Sequence, residues 1–236
     1  MIEFGHGTHV GLRRDHNEDT YSVEAGIGLW LVADGMGGHD QGEVASAIAR
    51  DTVVEHFRGG EPLTESIRAA AQRIIDISNA RKSSLPMGTT LVAAAVDLEA
   101  NDYEVAWVGD SRVYHWNGKL YQLTSDHSYV QELVDQGAIT PEQARTHPHR
   151  NVVTQALGVT EPASLKVDTV EGHLEPGEML LLCSDGLTEE VDDDYITDVL
   201  AAEDTDAQEK VDRLILGALD GGGSDNITVL LLARAD

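Results

Sequence analysis

Apolar runs with the length of β-strands most constrain how this chain of 236 residues can fold. Residues 28–33, Gly-Leu-Trp-Leu-Val-Ala, are apolar throughout rather than at alternate positions, and residues 89–96 have the same character. Successive side chains of a strand point to opposite faces of its sheet, so a strand that is apolar throughout is covered on both faces. The pattern therefore predicts a sheet buried between other layers.

The remaining patterns indicate how those layers are arranged. Further strands are predicted from Thr20 onward and at residues 103–108, 113–116, 179–183 and 227–232. Helices are predicted at residues 42–57, from 64 to about 81, and around 211–219, where apolar residues recur with helical spacing and a run of three glycines follows. The strands come in adjacent runs, with a hairpin connection predicted at 97–102, and this favours an α+β fold with antiparallel sheets over alternating βαβ units.

The charge of the chain excludes one class of partner. With 42 acidic and 16 basic residues, the formal net charge is −26. Such a surface repels a phosphate backbone, so we expect no binding to nucleic acid. Much of the acidic excess is expected to be solvated surface, and the positions of the acids decide whether part of it is a cation site.

The single cysteine and the start of the chain bear on the compartment. Cys183 lies in the apolar run at 179–183, which predicts a buried strand position rather than a nucleophile. The first residues show no signal peptide, and no apolar run approaches the roughly 20 residues that span a bilayer. We therefore expect a cytoplasmic protein without a membrane segment, acting as a monomer.

Residues 125–155 form a polar segment that interrupts the pattern of strands and helices. This segment contains His127, His147 and His149, and only a short helical pattern around 129–136. It is predicted to be an excursion from the core that forms a flap beside the active site, with a structural insertion as the alternative. We call it the flap segment.

Acidic residues border the predicted strands at five places. At four of them an aspartate lies beside a glycine or another small residue at a strand end: Asp34-Gly35, Gly109-Asp110-Ser111, Ser184-Asp185-Gly186 and Ser224-Asp225-Asn226. The fifth is Glu18-Asp19, just before the strand predicted from Thr20. Each motif alone is most often only a turn. Together they are better explained by one shared site, because strand ends can present side chains to a common point.

Carboxylates that share a site need cations. Two like charges 4 Å apart repel by about 4 kcal/mol at an effective dielectric constant near 20. The neighbouring sequence supplies only Arg14 and Arg112, so metal ions are the simplest counter-charge. All-carboxylate sites favour Mg²⁺, Mn²⁺ or Ca²⁺, and a pair of such ions typically activates water for attack on a phosphoryl group. Calcium binding alone is the alternative, although no EF-hand pattern is present.

Six ordered motifs resemble those of the type 2C family of metal-dependent protein phosphatases, and their wording is similar to its bacterial branch. The motifs are Arg14-Asp15-His16-Asn17-Glu18-Asp19, Val32-Ala33-Asp34-Gly35-Met36-Gly37-Gly38-His39, Gly88-Thr89-Thr90, Val108-Gly109-Asp110-Ser111-Arg112, Ser184-Asp185-Gly186-Leu187 and Asp225-Asn226-Ile227-Thr228. The resemblance covers about residues 11–232. It implies a four-layer α-β-β-α sandwich of two antiparallel sheets flanked by helix pairs, within a single catalytic domain at 1–236.

The resemblance also implies a role for each matched residue. Asp34 would bridge two Mn²⁺ or Mg²⁺ ions, with Asp185 and Asp225 on the first ion and Glu18 and the Gly35 carbonyl on the second. Asp19 would hold water on a metal, and Asp110 would join Asp185 at a weaker third ion, with a structural aspartate in a tight turn as the alternative. Arg14 would bind the phosphate, for which a guanidinium fork is suited, with an exposed surface arginine as the alternative.

The implied reaction is direct hydrolysis of phosphoserine and phosphothreonine in proteins, without a phosphoenzyme, which reverses the action of a serine/threonine kinase. The proton donor is not assigned by the motifs, because Met36 stands where some relatives carry histidine. His39 is the candidate, with water on a metal as the alternative. Hydrolysis of small phosphate esters and a non-catalytic regulatory role stay open as functions. A domain trimmed from a longer protein also stays open, because the chain stops soon after its last predicted strand.

Overall fold

Two antiparallel β-sheets packed face to face form the centre of the protein. The structure, a computed structural model, describes residues 2–37, 41–81 and 87–235. The strands within these ranges are β1 (Ile2–His9), β2 (Asp19–Glu24), β3 (Leu29–Met36), β4 (Gly88–Thr89), β5 (Leu91–Val96), β6 (Asp102–Val108), β7 (Arg112–Trp116), β8 (Leu120–Gln122), β9 (Asp168–His173), β10 (Met179–Cys183) and β11 (Ile227–Arg234). The helices are α1 (Gln41–Arg58), α2 (Leu63–Arg81), α3 (Tyr129–Asp135), α4 (Pro141–Arg145), α5 (Asp185–Thr188), α6 (Asp193–Leu200) and α7 (Ala207–Gly221).

The order of strands places both ends of the chain in one sheet. The first sheet runs β1-β11-β10-β7-β8, and the second runs β2-β3-β5-β6-β9, with β4 paired to the far end of β3. Each of these pairings is antiparallel. The connection from β6 to β7 crosses from the second sheet to the first, so it lies at one open end of the sandwich.

Three apolar cores explain why the predicted strands are apolar throughout. In β3, Leu29, Leu31 and Ala33 face helices α1 and α2, whereas Trp30 and Val32 face the opposite sheet. In β10, Leu180 and Leu182 likewise point between the sheets, whereas their neighbours pack against α5, α6 and α7. The predicted four-layer α-β-β-α architecture is confirmed.

Several elements were not predicted because apolar residues contribute little to them. The strand β1 contains Gly5, where a Cβ atom would collide with the Ala207 carbonyl at the start of α7. Close approach of that helix therefore requires a glycine that interrupts the strand pattern. The short strand β8 and the edge strand β9 are mostly exposed or half-buried. The helix α4 was also missed, although Thr140 and Gln143 form a capping box at its start. The helix α6 is different, because it was missed although it buries three apolar residues, Ile196, Val199 and Leu200.

The predicted helices correspond to α1, α2, α3 and α7, with boundaries that shift by a few residues. The helix α7 begins with a capping box formed by Asp206 and Glu209 and ends at Gly221, as the glycine run predicted. In the part of the chain that the structure describes, none of the helices combines the length and the apolar character that crossing a bilayer requires.

Candidate active site

Five aspartates meet at one open end of the sandwich because of the strand register. Asp19 lies directly opposite Asp34 in the pairing of β2 with β3. Asp110 lies in the connection between β6 and β7, which brings it to the same end. Asp185 follows β10 and Asp225 shortly precedes β11, and these two strands are antiparallel neighbours. We call the five residues the carboxylate cluster.

Asp34 lies inside a strand, which corrects its predicted place at a strand end. The strand β3 continues to Met36 because Gly35 and Met36 pair with Thr89 and Gly88 of β4. The predicted strand at 89–96 is correspondingly interrupted at Thr90. The Asp34 amide donates to the Thr90 hydroxyl at 3.2 Å, and the Thr90 amide donates to the Asp34 carbonyl at 2.8 Å. The backbone of Asp34 is therefore held rigidly.

Burial and mutual repulsion shift the acidity of the cluster. Burial raises the pKa of Asp34 well above its ordinary value, and the other four aspartates raise it further. Burial is also the main reason why the pKa of Asp19 and the pKa of Asp185 rise to about 6. Although Asp34 and Asp185 keep some contact with solvent at the mouth of the site, protein atoms and like charges dominate their surroundings. The cluster therefore requires positive charge at neutral pH.

Glu18 and Gly35 are fixed beside the cluster by the close approach of α1. The Gly35 amide donates to the Glu18 carbonyl at 3.1 Å. A Cβ atom at Gly42 would collide with the Glu18 carboxylate, and one at Gly35 would collide with the Gly42 carbonyl. Both glycines are therefore needed for the first turn of α1 to lie against Glu18 and β3.

The oxygen atoms of the cluster fit divalent cations of the Mg²⁺ or Mn²⁺ type. Asp19 Oδ1 and Asp185 Oδ1 are buried and have no hydrogen-bond partner, and a buried acceptor normally has one. Among the described residues, no three Cys, His, Asp or Glu side chains already form the compact cage of a metal site. Ions that retain several waters do not need such a cage, and hard carboxylate oxygens are the ligands that they prefer.

Hydroxyl groups hold one oxygen of Asp19 and leave the other to face the cluster. Asp19 Oδ2 accepts hydrogen bonds from Ser184 Oγ at 2.8 Å and from Thr228 Oγ1 at 2.7 Å. The Thr228 hydroxyl proton is used in this bond, so Thr8 Oγ1, 2.8 Å away, must donate to Thr228. Asn17 Nδ2 in turn donates to Thr8 at 2.8 Å. This directional chain fixes the side-chain orientation of Asp19.

Asn226 holds the loop that carries Arg14 and Glu18. Its Oδ1 accepts from the Glu18 amide at 2.8 Å, and its Nδ2 donates to the carbonyls of Val10 at 2.8 Å and His16 at 2.9 Å. Both donor hydrogens of the side-chain amide, and its oxygen, are thus engaged by one loop. Roles for Asn226, Ser184 and Thr228 were not predicted from the sequence. Their position within four residues of a cluster aspartate is the signal that could have found them.

The two arginines near the cluster have different surroundings. Arg14 Nη2 lies 2.6 Å from Asp225 Oδ2, and half of its side chain remains exposed. Arg14 also faces Glu18 and Asp185, so the structure brings it to the site as predicted. Arg112 instead forms a two-pronged ion pair with Asp126, at 2.9 Å from Nε and 2.7 Å from Nη2. Of these two arginines, Arg14 is therefore the one with a partly exposed guanidinium beside the cluster.

Two further predictions concern Cys183 and His39. Cys183 is buried, and burial raises the pKa of its thiol to about 12, which agrees with a structural position rather than a nucleophile. His39, the candidate proton donor, lies outside the described residues.

The flap segment borders a cleft that leads to the cluster. Its two ends are joined by pairing of Ser128 with Val153, and Leu157, just beyond it, pairs with Thr89. The short helix predicted around 129–136 is α3, and α4 follows it. Between these helices and the core lies a cleft of about 390 Å³, and Asp110 and Asp185 are part of its lining. The flap segment is thus next to the carboxylate cluster.

A family model, curated relatives and solved structures all match this chain. Residues 7–224 match the family model described as Protein phosphatase 2C. The chain is 38% identical over 241 residues to the serine/threonine phosphatase stp of Listeria monocytogenes, covering 96% of this chain and 94% of that protein. It is 39% identical over 244 residues to the serine/threonine protein phosphatase PstP of Mycobacterium tuberculosis, covering 100% of this chain but 46% of PstP. The chain thus spans about half the length of that relative.

Solved structures agree with these sequence matches. The serine/threonine phosphatase Stp1 from Staphylococcus aureus has a TM-score of 0.90 at 35% identity, covering 100% of this chain and 96% of Stp1. The catalytic domain of PstP, solved in complex with two manganese ions, has a TM-score of 0.86 at 34% identity, covering 100% of this chain and 99% of that domain. The family model, the relatives and the fold agree with the resemblance seen in the motifs, and the chain belongs to the protein phosphatase 2C family.

Proposed function

We propose that this chain hydrolyses phosphoserine and phosphothreonine in proteins with water activated at a two-metal centre. The observation that carries the proposal is the convergence of five aspartates, two of them with buried oxygens that lack a partner, beside the open guanidinium of Arg14. The relatives named serine/threonine phosphatases and the two manganese ions of the PstP catalytic domain support the same activity and cofactor.

The proposed ligands follow from the motifs and from the positions of their side chains. Asp34 would be shared by both ions, as the resemblance of the motifs implies, and the charges of the other four aspartates of the cluster act on it. Asp185 and Asp225 would hold the first ion, and Glu18 with the Gly35 carbonyl would hold the second. When bound, the ions lower the pKa of a water molecule and polarise the phosphoryl group.

The protein's own groups bind and orient the reactants. The Arg14 guanidinium is suited to two phosphate oxygens, because a planar fork matches their spacing. Asp225 lies 2.6 Å from Arg14 and keeps the fork directed at the cluster. Asp19, fixed by Ser184 and Thr228, accepts a hydrogen bond from the attacking water at its other oxygen, Oδ1.

Asp110 is proposed to hold a weaker third cation together with Asp185. Asp110 is 8% exposed, and burial, followed by the charge of Asp185, raises its pKa well above the ordinary value. A cation between the two carboxylates would relieve this repulsion. Asp110→Ala should spare the first two ions and lower turnover, whereas a variant that unfolds would support a purely structural role.

The wider setting is also a proposal. We propose that residues 1–236 form a single catalytic domain, with the flap segment at 125–155, that acts as a monomer in the cytoplasm of a bacterium. Its partners would be phosphorylated proteins and a serine/threonine kinase whose action it reverses. The free buried thiol of Cys183 is consistent with a reducing compartment.

Phosphate release from a phosphothreonine peptide tests the activity, beside a phosphotyrosine peptide and a small phosphate ester. Release from the phosphothreonine peptide should stop with a chelator, return with Mn²⁺ or Mg²⁺, and be abolished in Asp34→Asn and Asp225→Asn. Asp198→Asn, which makes the same change at an exposed position on α6, is the control that should retain activity. Full activity of metal-stripped protein would refute the mechanism, and activity on the small ester alone would favour the alternative substrate class.

A further inference from the structure

The backbone of Gly109, immediately before Asp110, is bound on both sides by one residue of the flap segment. The His127 amide donates to the Gly109 carbonyl at 2.9 Å. In return the Gly109 amide donates to Nδ1 of the His127 imidazole at 3.1 Å. Both polar backbone groups of Gly109 are therefore satisfied by His127, although these residues belong to different parts of the fold.

The conformation of Gly109 leaves it little freedom to rearrange. Its φ angle is +107°, which side chains disfavour. A Cβ atom there would also collide with the side chain of Thr90, the residue that binds the backbone of Asp34. Gly109 is thus held between Thr90 on the core side and His127 on the flap side.

The hydrogen bonds of the His127 ring define which nitrogen carries its proton. An amide can only donate, so Nδ1 accepts, and the proton of the neutral ring is on Nε2. Nε2 then donates to Asp168 Oδ2 at 3.2 Å, an oxygen that Lys166 also binds, at 2.6 Å. The ring is 8% exposed and lies against Trp107, with 26° between the ring planes. His127 is therefore a fixed side chain with no spare hydrogen-bonding capacity.

His127 also joins the two ends of the flap segment. Its carbonyl accepts from the Thr154 amide at 2.8 Å, which joins the entry of the flap segment to its exit. The next residue, Ser128, caps α3 by accepting from the Gln131 amide at 3.2 Å. A displacement at the base of the flap segment must therefore act on Gly109 and on the turn that carries Asp110.

We propose that His127 is a positioning residue that holds Asp110 in the carboxylate cluster by fixing the backbone of Gly109, and so couples the flap segment to the weaker cation site. This inference rests on the proposed role of Asp110. His127 itself neither contacts substrate nor binds a cation. Removing a group that orients a metal ligand without binding the metal typically changes metal affinity by about 10- to 100-fold.

Two substitutions test separately the hydrogen bonds that Nδ1 and Nε2 of the His127 ring make. In His127→Asn, the side-chain oxygen takes the place of Nδ1 and can accept from Gly109, but the contact with Asp168 is lost. In His127→Gln, the side-chain amide reaches Asp168 but offers no acceptor to Gly109. His173→Gln is the matched control, because His173 of β9 also pairs with an aspartate, Asp102 of β6, but at an exposed position and without a contact to Gly109.

The test measures Mn²⁺ binding by calorimetry and the Gly109 amide by NMR. We expect His127→Gln to raise the dissociation constant of the weakest Mn²⁺ at least about tenfold. The dissociation constant of His127→Asn should lie closer to that of the wild type, and the dissociation constant of His173→Gln should equal the wild-type value. The metal-free wild type should show a protonated Nε2 and an unprotonated Nδ1 in nitrogen NMR, a readout that needs no variant to fold.

The opposite results overturn the inference. Equal Mn²⁺ binding in His127→Gln and in the wild type would overturn it, and so would a proton on Nδ1. Asp110→Asn separates this failure from that of the proposed function. If Asp110→Asn leaves Mn²⁺ binding unchanged, Asp110 does not hold a cation, and the proposed coupling of the flap segment to a cation site is wrong as well. An altered Gly109 amide in His127→Gln would then still support positioning of the turn, and an unaltered amide would refute that as well.

Discussion

The metal-free protein holds five aspartates against one another, so Asp185→Asn should raise its free energy of unfolding while it abolishes activity. Burial, followed by the charges of Asp225 and Asp19, raises the pKa of Asp185 from 3.8 to about 6. At about 1.4 kcal/mol per pKa unit, a charged Asp185 costs the folded state about 3 kcal/mol. Asp185 keeps some solvent contact, so we expect a gain of about 2 to 3 kcal/mol from the neutral amide.

The pH dependence gives this prediction a definite sign. The folded protein binds the Asp185 proton more tightly than the unfolded chain does, so folding is favoured where the carboxyl is protonated. The advantage of the asparagine variant should therefore be absent below about pH 4 and complete above about pH 6. For a domain of this size, a gain of about 2 to 3 kcal/mol raises the unfolding temperature by about 4 to 12 °C.

Scanning calorimetry in chelator, at neutral pH and near pH 4, measures both effects. Mn²⁺ at about 1,000 times its dissociation constant should reverse the order, because binding of one ion to the folded state then adds about 4.1 kcal/mol to the wild type. Asp198→Asn removes the same charge from an exposed helix position and should change stability by less than about 0.5 kcal/mol. An Asp185→Asn protein that is less stable than the wild type in chelator at neutral pH would refute the reasoning.

Three further predictions concern groups around the cluster. In steady-state kinetics, Arg14→Ala should lower kcat/KM about 10- to 100-fold without loss of the tightly bound ions, and Arg14→Lys should recover only part of the lost kcat/KM. An unchanged kcat/KM in the alanine variant would show that Arg14 does not bind the phosphate. Thr228→Val should lower activity about tenfold, whereas Thr228→Ser, which keeps the hydroxyl to Asp19, should stay near the wild type; equal effects would indicate packing. His39→Ala should severely reduce hydrolysis of a phosphothreonine peptide but barely change hydrolysis of an aryl phosphate, because the aryl leaving group needs little protonation. Equal effects on the two substrates would argue against His39 as the general acid.

The layers of the fold were predictable because burial on two sides leaves a clear pattern. Leu29, Leu31 and Ala33 face the helices, and Trp30 and Val32 face the other sheet, so no polar residue interrupts the run at 29–33. The edge strand β9 has no such pattern, since alternate residues are exposed. The position of β9 is set by its pairing with β6, which local sequence does not reveal.

The carboxylates of the site were also predictable, whereas the groups that orient them were not. An aspartate beside a small residue at a strand end is a local pattern. The hydrogen bond from Ser184 to Asp19 instead joins residues 165 positions apart, and the bond from Thr228 joins residues 209 apart. The sequence does not show whether a hydroxyl or an amide side chain belongs to a turn or to such a hydrogen-bond network. The packing of the two sheets against each other decides which of these roles the side chain has.

The choice of orienting groups follows from what the site must bind. A lysine or arginine bound to Asp19 would neutralise its carboxylate and compete with a metal ion for its oxygens. Neutral donors avoid this competition, and Asp19 shows how, because two hydroxyls engage Oδ2 while Oδ1 keeps its full capacity. Burial, with the repulsion that remains, raises the pKa of Asp34 and the pKa of Asp185, so the charged cluster costs the metal-free fold free energy. The same unrelieved charge strengthens binding of a divalent cation, so the cost of the cluster to the metal-free fold and its affinity for metal have one cause.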